Sequence, residues 1–417
     1  MGSIDVAEFS LSDKDFKKNY PIYYNFLRKN SPIHWDKEEN SWFITRYRDI
    51  EKYLASDDFI TSPIISEKKR RLIVQKSVGA ERVSELISTW MIYNDKPMHT
   101  RLRKESNKLF QPNQLFKMIP HITEIISERI NQVLENHSTT RTFDFVEEIA
   151  YSVPRLVLSK IIGIPMKDFN MFINWAEDIS IFMQEFIVSD NVSADLLNKT
   201  DKSVVSLSNY LNELIQQNRL NPSTNLISTL IRNNDGESEN LDVKDFIAII
   251  TQLMFGGHKV PQFVIANTLH LLFANPAIFQ EVKANLDLVK DVVEESMRLE
   301  TPSQYLTRIA ATDVVINDKL INKGDSVYFF VGAANRDDDV FKEPDKFDIY
   351  RKNKRHLSFG VGYHACVAAF FARLEVTEVI KQIIKNAPQI VAEYDVEKPD
   401  WTANPNFHSI TYMPVRY

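Results

Sequence analysis

Apolar positions recur at helical spacing from "DIEKYLAS", residues 49–56, to about residue 300. "ITEIISERINQVLENH" and "SVVSLSNYLNELIQQN" each present one apolar face, as a helix packed on a core requires. The stretch from Val243 to Asn275 is apolar on most faces, so it predicts a long helix at the centre of a core. Two segments break this period. "PIHWDKEENSWFITRY" alternates around a polar turn and predicts a short hairpin. "DVVINDKLINKGDSVYFFVG" consists of β-branched runs divided by Asn-Asp and Lys-Gly, and predicts a small antiparallel element. The helical period returns from Cys366 to Asn386. The pattern describes a mainly α chain with a small β portion, read as one domain over residues 1–417. There are no repeats, and ten glycines leave no material for a flexible linker.

Composition narrows the function. With 50 basic against 56 acidic residues the net charge is −6, the opposite of the basic excess that a nucleic-acid binder carries. One cysteine excludes an internal disulfide framework and fits a reducing compartment. No run of about 18 apolar residues occurs, and the first twenty residues carry acids where a signal peptide needs an apolar core. A cytoplasmic protein without membrane attachment is expected.

That one cysteine stands in "LSFGVGYHACVAAFFARLE", residues 357–375. A metal-binding thiolate needs a lowered pKa, which a helix N-terminus supplies. It needs close backbone, which Gly360 and Gly362 allow, and N–H groups that tune its electron donation. Small residues follow it, Val367, Ala368 and Ala369, and would let a flat macrocycle lie against the helix start. An inert core cysteine, otherwise the commoner case, requires none of these.

The stretch resembles the haem-binding signature of the cytochrome P450 superfamily, carried here by Phe359, Gly360, Gly362, His364, Cys366, Ala372, Arg373 and Glu375. The resemblance implies a helix-rich triangular prism, with haem b (iron protoporphyrin IX) between the long central helix and the cysteine loop. Cys366 would be the axial thiolate, which pushes electron density onto the iron and favours O–O cleavage. Three further stretches match the family. "EESMRLE" holds Glu295 and Arg298, which with Arg351 would form the internal ion network that fixes the cysteine loop. "NDKPMHTRLRK" supplies His99 and Arg103, and "YLTRIA" supplies Arg308. Together with His364 these would hold the two haem propionates through charge-assisted hydrogen bonds.

One stretch departs from the family. Its oxygen-activating segment has Ala or Gly, Gly, any residue, an acid, then two threonines; here the helix reads "FGGHKVPQ". Gly256 and Gly257 fit, and their missing side chains would leave room over the haem. Lys259 replaces the acid, Val260 replaces the first threonine, and Pro261 predicts a kink. Valine neither orders a water nor feeds protons inward. Three accounts stay open: a monooxygenase whose substrate completes the relay, a peroxygenase that takes hydrogen peroxide with Lys259 anchoring a substrate carboxylate, and a haem-thiolate enzyme that does not activate oxygen. A haem-binding sensor is the non-enzymatic alternative. Lys259 has a plain reading too, lying along apolar surface with its head in water.

By the same resemblance an apolar substrate pocket would be lined from residues 64–93, "FINWAEDISIFMQEF", "MFGGHKV", "TPSQYL" and "NPNFHSI", with Met254, Phe255, Gln304, Tyr305 and Phe407 as wall residues. No nucleotide-binding glycine motif is present, so electrons would come from a separate ferredoxin and an NAD(P)H-dependent ferredoxin reductase, unless peroxide replaces them. "YRKNKRH", before the cysteine loop, is a candidate docking surface for an acidic ferredoxin or a solvated charge run. The implied activity is haem-dependent oxidation of a small organic molecule in specialised metabolism, by hydroxylation, coupling or desaturation.

Overall fold

The computed structural model describes residue 11 and residues 14–62, 64, 81–188, 192–234 and 241–417. The rest of the predicted pocket segment, residues 65–80, lies outside them. Two compact units are each assembled from separate stretches of the chain: Met1–Ile60, Ile126–Tyr151 and Val260–Tyr417 in one, Thr61–Ile125 and Ser152–Lys259 in the other.

The first unit contains the sheets. The predicted hairpin forms as Ile33–Asp36 paired antiparallel with Ser41–Ile44. It is extended into five strands by Ser326–Phe329, Leu306–Ala310 and Phe59–Ile60, in that order. The pairing of Ser41–Ile44 with Ser326–Phe329 is parallel, so the late β segment is not the purely antiparallel element that its turn residues predict. Only Val314–Ile316 and Lys319–Ile321 form a local hairpin there. One face of this sheet buries Ile44, Phe59, Val327 and Phe329 with Leu357 of the cysteine loop. Phe43, Tyr24, Tyr305 and Phe330 make a second, aromatic core. Helix Val289–Leu299 packs on helix Ala369–Asn386 in the same unit.

The second unit is built around helices Met98–Leu109, Ser152–Ile162, Phe169–Val188 and Ala194–Leu220. Its last segment is the first half of the central helix, Val243–Ala274, which reproduces the apolar stretch within one residue. This helix runs through Pro261 without a break. A proline inside a helix costs about 3 kcal/mol, whereas each large apolar side chain buried contributes about 1.5–3 kcal/mol. Every residue from Pro261 to Leu272 is buried, and the packing therefore wins. No single helix among the described residues is long and apolar enough to cross a membrane; the central helix passes that test only as a pair with Pro276–Ala284, across a bend of 107°.

Candidate active site

The sequence places the thiol one helical turn too far along. Helix Ala369–Asn386 starts at Ala369, and Cys366, Val367 and Ala368 form the turn leading into it. Cys366 thus stands ahead of the helix N-terminus, where the helix dipole favours negative charge on sulfur. The loop is pinned by its own backbone: Cys366 N–H donates to Phe359 O at 2.8 Å, and Gly360 N–H to Leu357 O at 2.8 Å. Gly360 and Gly362 have φ of +66° and +76°, conformations costly for any other residue. At Gly362 a Cβ would also fall 2.8 Å from the Ala55 Cα, so the position excludes side chains twice over. Cys366 is exposed, and Val361, Tyr363, Val367 and Ala368 around it are only half-buried.

Below the loop, Glu295 is the centre of a buried ion network. Its Oε2 accepts from Arg298 Nε at 2.8 Å, and its Oε1 accepts from Arg298 Nη2 at 2.7 Å and from Arg351 Nε at 3.1 Å. Arg298 also donates to the carbonyls of Asn335, Pro344 and Lys346, and Arg351 to those of Lys342, Glu343 and Lys346. One carboxylate and two guanidinium groups thereby tie the chain from residue 335 to 351 onto the helix. All three residues were expected together, and the structure brings them together.

Sequence reasoning missed the neighbouring clamp. Glu294 accepts from Arg373 Nε and, at 3.1 Å, pairs with His356 Nε2. Burial pushes the Glu294 carboxyl up, but the His356 and Arg373 hydrogen bonds outweigh it and leave it at about 2. The Arg373 guanidinium lies 4.3 Å over the Phe359 ring, and the His356 ring packs 5.8 Å from it. Phe359, whose carbonyl holds the Cys366 N–H, is therefore packed by both Arg373 and His356. Glu375, on the same helix as Arg373, is fully buried with no hydrogen-bond partner among the described residues. Burial raises its carboxyl to about 8. A carboxyl raised on folding adds stability at pH below its unfolded value of about 4, and that stability is lost as pH climbs through the folded value. Glu375→Gln should remove this loss, giving a urea midpoint that changes less than the parent's between about pH 5 and about pH 9.

The four propionate candidates divide between the units. His99 and Arg103 share a face of helix Met98–Leu109; His99 is buried, and Arg103 Nε donates to Asn107 Oδ1 at 2.9 Å. Arg308 is buried on strand Leu306–Ala310, and its Nη1 donates to Thr307 O at 2.8 Å. His364 closes the short turn Gly362–His364, its ring 4.5 Å from that of Tyr363, two residues before the thiol.

The central helix separates its two glycines. A Cβ on Gly256 would meet nothing within 4 Å, and this residue is exposed in the middle of a mostly covered helix. A Cβ on Gly257 would instead lie 3.3 Å from Leu158, so Gly257 serves close packing against helix Ser152–Ile162. The room expected from both glycines comes from Gly256 alone. Val260 is half-buried. Lys259 is not laid along apolar surface: its Nζ is 2.7 Å from Glu177 Oε1, on helix Phe169–Val188. The other oxygen of Glu177 accepts from Arg155 Nη2 at 2.6 Å and stands 3.7 Å from His258 Nε2. Burial works against ionised Glu177, yet His258, Lys259 and Arg155 together hold its carboxyl far below the usual range. Burial pushes His258 below its usual value against the opposing effect of Glu177, and its Nδ1 bonds to the Met254 carbonyl. Glu177 lies in a stretch already expected near the pocket, but only the fold aligns it with Lys259.

Of the wall candidates, Phe255 stacks on Trp90 at 5.3 Å, Met254 is buried, and Phe407 packs 5.8 Å from Phe263. Gln304 and Tyr305 take a core role instead. Gln304 accepts from Tyr24 OH at 2.8 Å and donates to Thr301 O, and Tyr305 stacks on Tyr328 at 4.8 Å inside the aromatic core. The Gln304 oxygen thus ties the N-terminal helix through Tyr24, and its nitrogen ties the backbone at Thr301.

No group of three or more His, Cys, Asp or Glu side chains that could hold a metal occurs among the described residues. A lone thiolate suits a metal that brings its other ligands with it, as iron in a macrocycle does. An uncovered thiol on a glycine-cornered apolar loop fits that group. The cytochrome P450 family model matches residues 87–400. The chain belongs to the cytochrome P450 family. The biotin biosynthesis cytochrome P450 of Bacillus subtilis is 28% identical, over 98% of each chain. The 6-deoxyerythronolide B hydroxylase of Saccharopolyspora erythraea is 26% identical, over 97% of this chain and 98% of its own. The crystal structure of P450BioI with an acyl carrier protein bearing hexadec-9Z-enoic acid superposes with a TM-score of 0.85 at 26% identity, covering 97% of this chain and all of that one. This P450 is a haem-thiolate monooxygenase that carries out haem-dependent oxidation.

Proposed function

We propose that residues 1–417 act as one haem-thiolate domain that inserts oxygen into, couples or desaturates a small organic molecule of specialised metabolism, without the usual acid–alcohol pair. The group held is haem b: Cys366 gives the sulfur, and His99, Arg103, Arg308 and His364 hold its carboxylates by charge-assisted hydrogen bonds. When bound, haem supplies the iron at which molecular oxygen is activated with two electrons and two protons. Gly256 keeps space beside the central helix, and Val260 borders it without donating a proton. Electrons come from a separate ferredoxin and its NAD(P)H-dependent reductase, and a single thiol suits the cytoplasm.

The observation that carries this reading is the ion pair of Lys259 with Glu177. A peroxygenase would need Lys259 to receive a substrate carboxylate, and a protein carboxylate already stands there at 2.7 Å. Turnover should accordingly depend on ferredoxin, reductase and NADPH, with hydrogen peroxide alone supporting only a few turnovers. Sustained turnover on peroxide alone, at the rate seen with the electron-transfer chain, would replace this reading by the peroxygenase one. A stable ferrous–oxygen complex, with no product from any substrate tried, would replace it by the sensor.

A further inference from the structure

The acid missing from the central helix has a counterpart on another helix. Glu177 comes from helix Phe169–Val188, and its two oxygens are divided between Lys259 at 2.7 Å and Arg155 at 2.6 Å. The charged or titratable groups around Lys259 among the described residues include Glu177 itself, Arg155 on helix Ser152–Ile162, and His258 on its own helix. The geometry is unequal. Arg155 is almost wholly buried, with 2% of its side chain exposed, whereas Lys259 and Glu177 keep 16% and 20%. Arg155 thus fixes the carboxylate from the inside, and the Lys259 ammonium stays within reach of water. A guanidinium does not give up its proton, but an ammonium can.

We propose that Glu177 is a positioning residue for the oxidation, holding Lys259 as an ammonium so that the pair relays protons in place of the acid and alcohol this helix lacks. The proposal rests on the oxygen-dependent reading above. The relay carries protons only. Each transfer would break one Lys259 N–H bond and form one O–H bond on oxygen, with the haem, when bound, supplying the site of reduction. The electrons come from the ferredoxin, and the amine regains its proton from water at the partly exposed pair. Ionised Glu177 is available throughout the working pH range, because its neighbours hold the carboxyl far below the usual values.

The test uses the haem-loaded enzyme with its electron-transfer proteins and a substrate that it turns over. Glu177→Gln keeps the shape and removes the charge. It should cut kcat by about tenfold or more while KM changes little, and divert reducing equivalents into released peroxide. Loss of a neighbouring anion makes an ammonium easier to deprotonate, so the alkaline limb of the kcat profile should move to lower pH. Glu177→Asp should recover most of the rate, and Glu177→Gln combined with Lys259→Met should be no worse than Lys259→Met alone. Reduced thermal stability in Glu177→Gln with kcat, coupling and the pH profile unchanged would mean a brace and overturn the proposal. A damaging Lys259→Met beside a harmless Glu177→Gln would overturn it as well, while leaving the oxygen-dependent reading intact. If the parent enzyme turns over on peroxide alone, that reading is what fails.

Discussion

Arg298→Ala unfolds the protein at a denaturant concentration that leaves the parent folded, with a loss of about 3–5 kcal/mol. The guanidinium is 1% exposed and makes five hydrogen bonds, two to Glu295 and three to backbone carbonyls far along the chain. Removing it leaves Glu295 buried with only the Arg351 guanidinium and the Asp348 N–H as donors, and strands the carbonyls of Asn335 and Pro344 without this donor. Such orphaned groups, more than the lost attraction, set the size of the effect. Arg298→Lys should recover only part of it, since an ammonium cannot fork between a carboxylate and three carbonyls. Urea denaturation followed by circular dichroism measures both variants. A midpoint within error of the parent for Arg298→Ala would mean that the network does not brace the fold.

Cys366→Ala abolishes oxidation while leaving the fold in place. The thiol is exposed, and the loop around it is shaped by glycine conformations and backbone hydrogen bonds that alanine preserves. Helical content and the denaturation midpoint should match the parent, and product formation with ferredoxin, reductase and NADPH should fall to background. The contrast between the two variants separates roles that the sequence places in one motif series: Arg298 acts on stability and Cys366 on chemistry. Product formation by Cys366→Ala at the parent rate would remove sulfur from the mechanism.

What could be read from the sequence followed from how local each feature is. The central helix, the first hairpin and the Glu295–Arg298 pair are set by neighbours a few residues apart, or by a fixed spacing, and each appears where expected, whereas the helix after the cysteine starts only at Ala369. Pairings between distant segments were not legible. Nothing in the local pattern matches Glu177 with Lys259, or Glu294 with His356 and Arg373, because each pair meets only after separate helices and loops pack. Gln304 shows the same limit: its partner Tyr24 lies 280 residues away, so a polar side chain beside a pocket segment is instead part of an aromatic core. The parallel pairing of Ser41–Ile44 with Ser326–Phe329 is equally invisible to turn residues. Gly256 and Gly257 look alike in sequence, and only Leu158 tells them apart.

The central claim is that the Cys366 sulfur is bound to the haem iron as a thiolate. The spectrum of the purified, haem-loaded protein, reduced and exposed to carbon monoxide, tests it most directly. A strongly red-shifted Soret band, present in the parent and absent in Cys366→Ala, is the predicted result. A Soret band at the position typical of histidine-ligated haem in the freshly purified parent, or a red-shifted band that persists in Cys366→Ala, would contradict it.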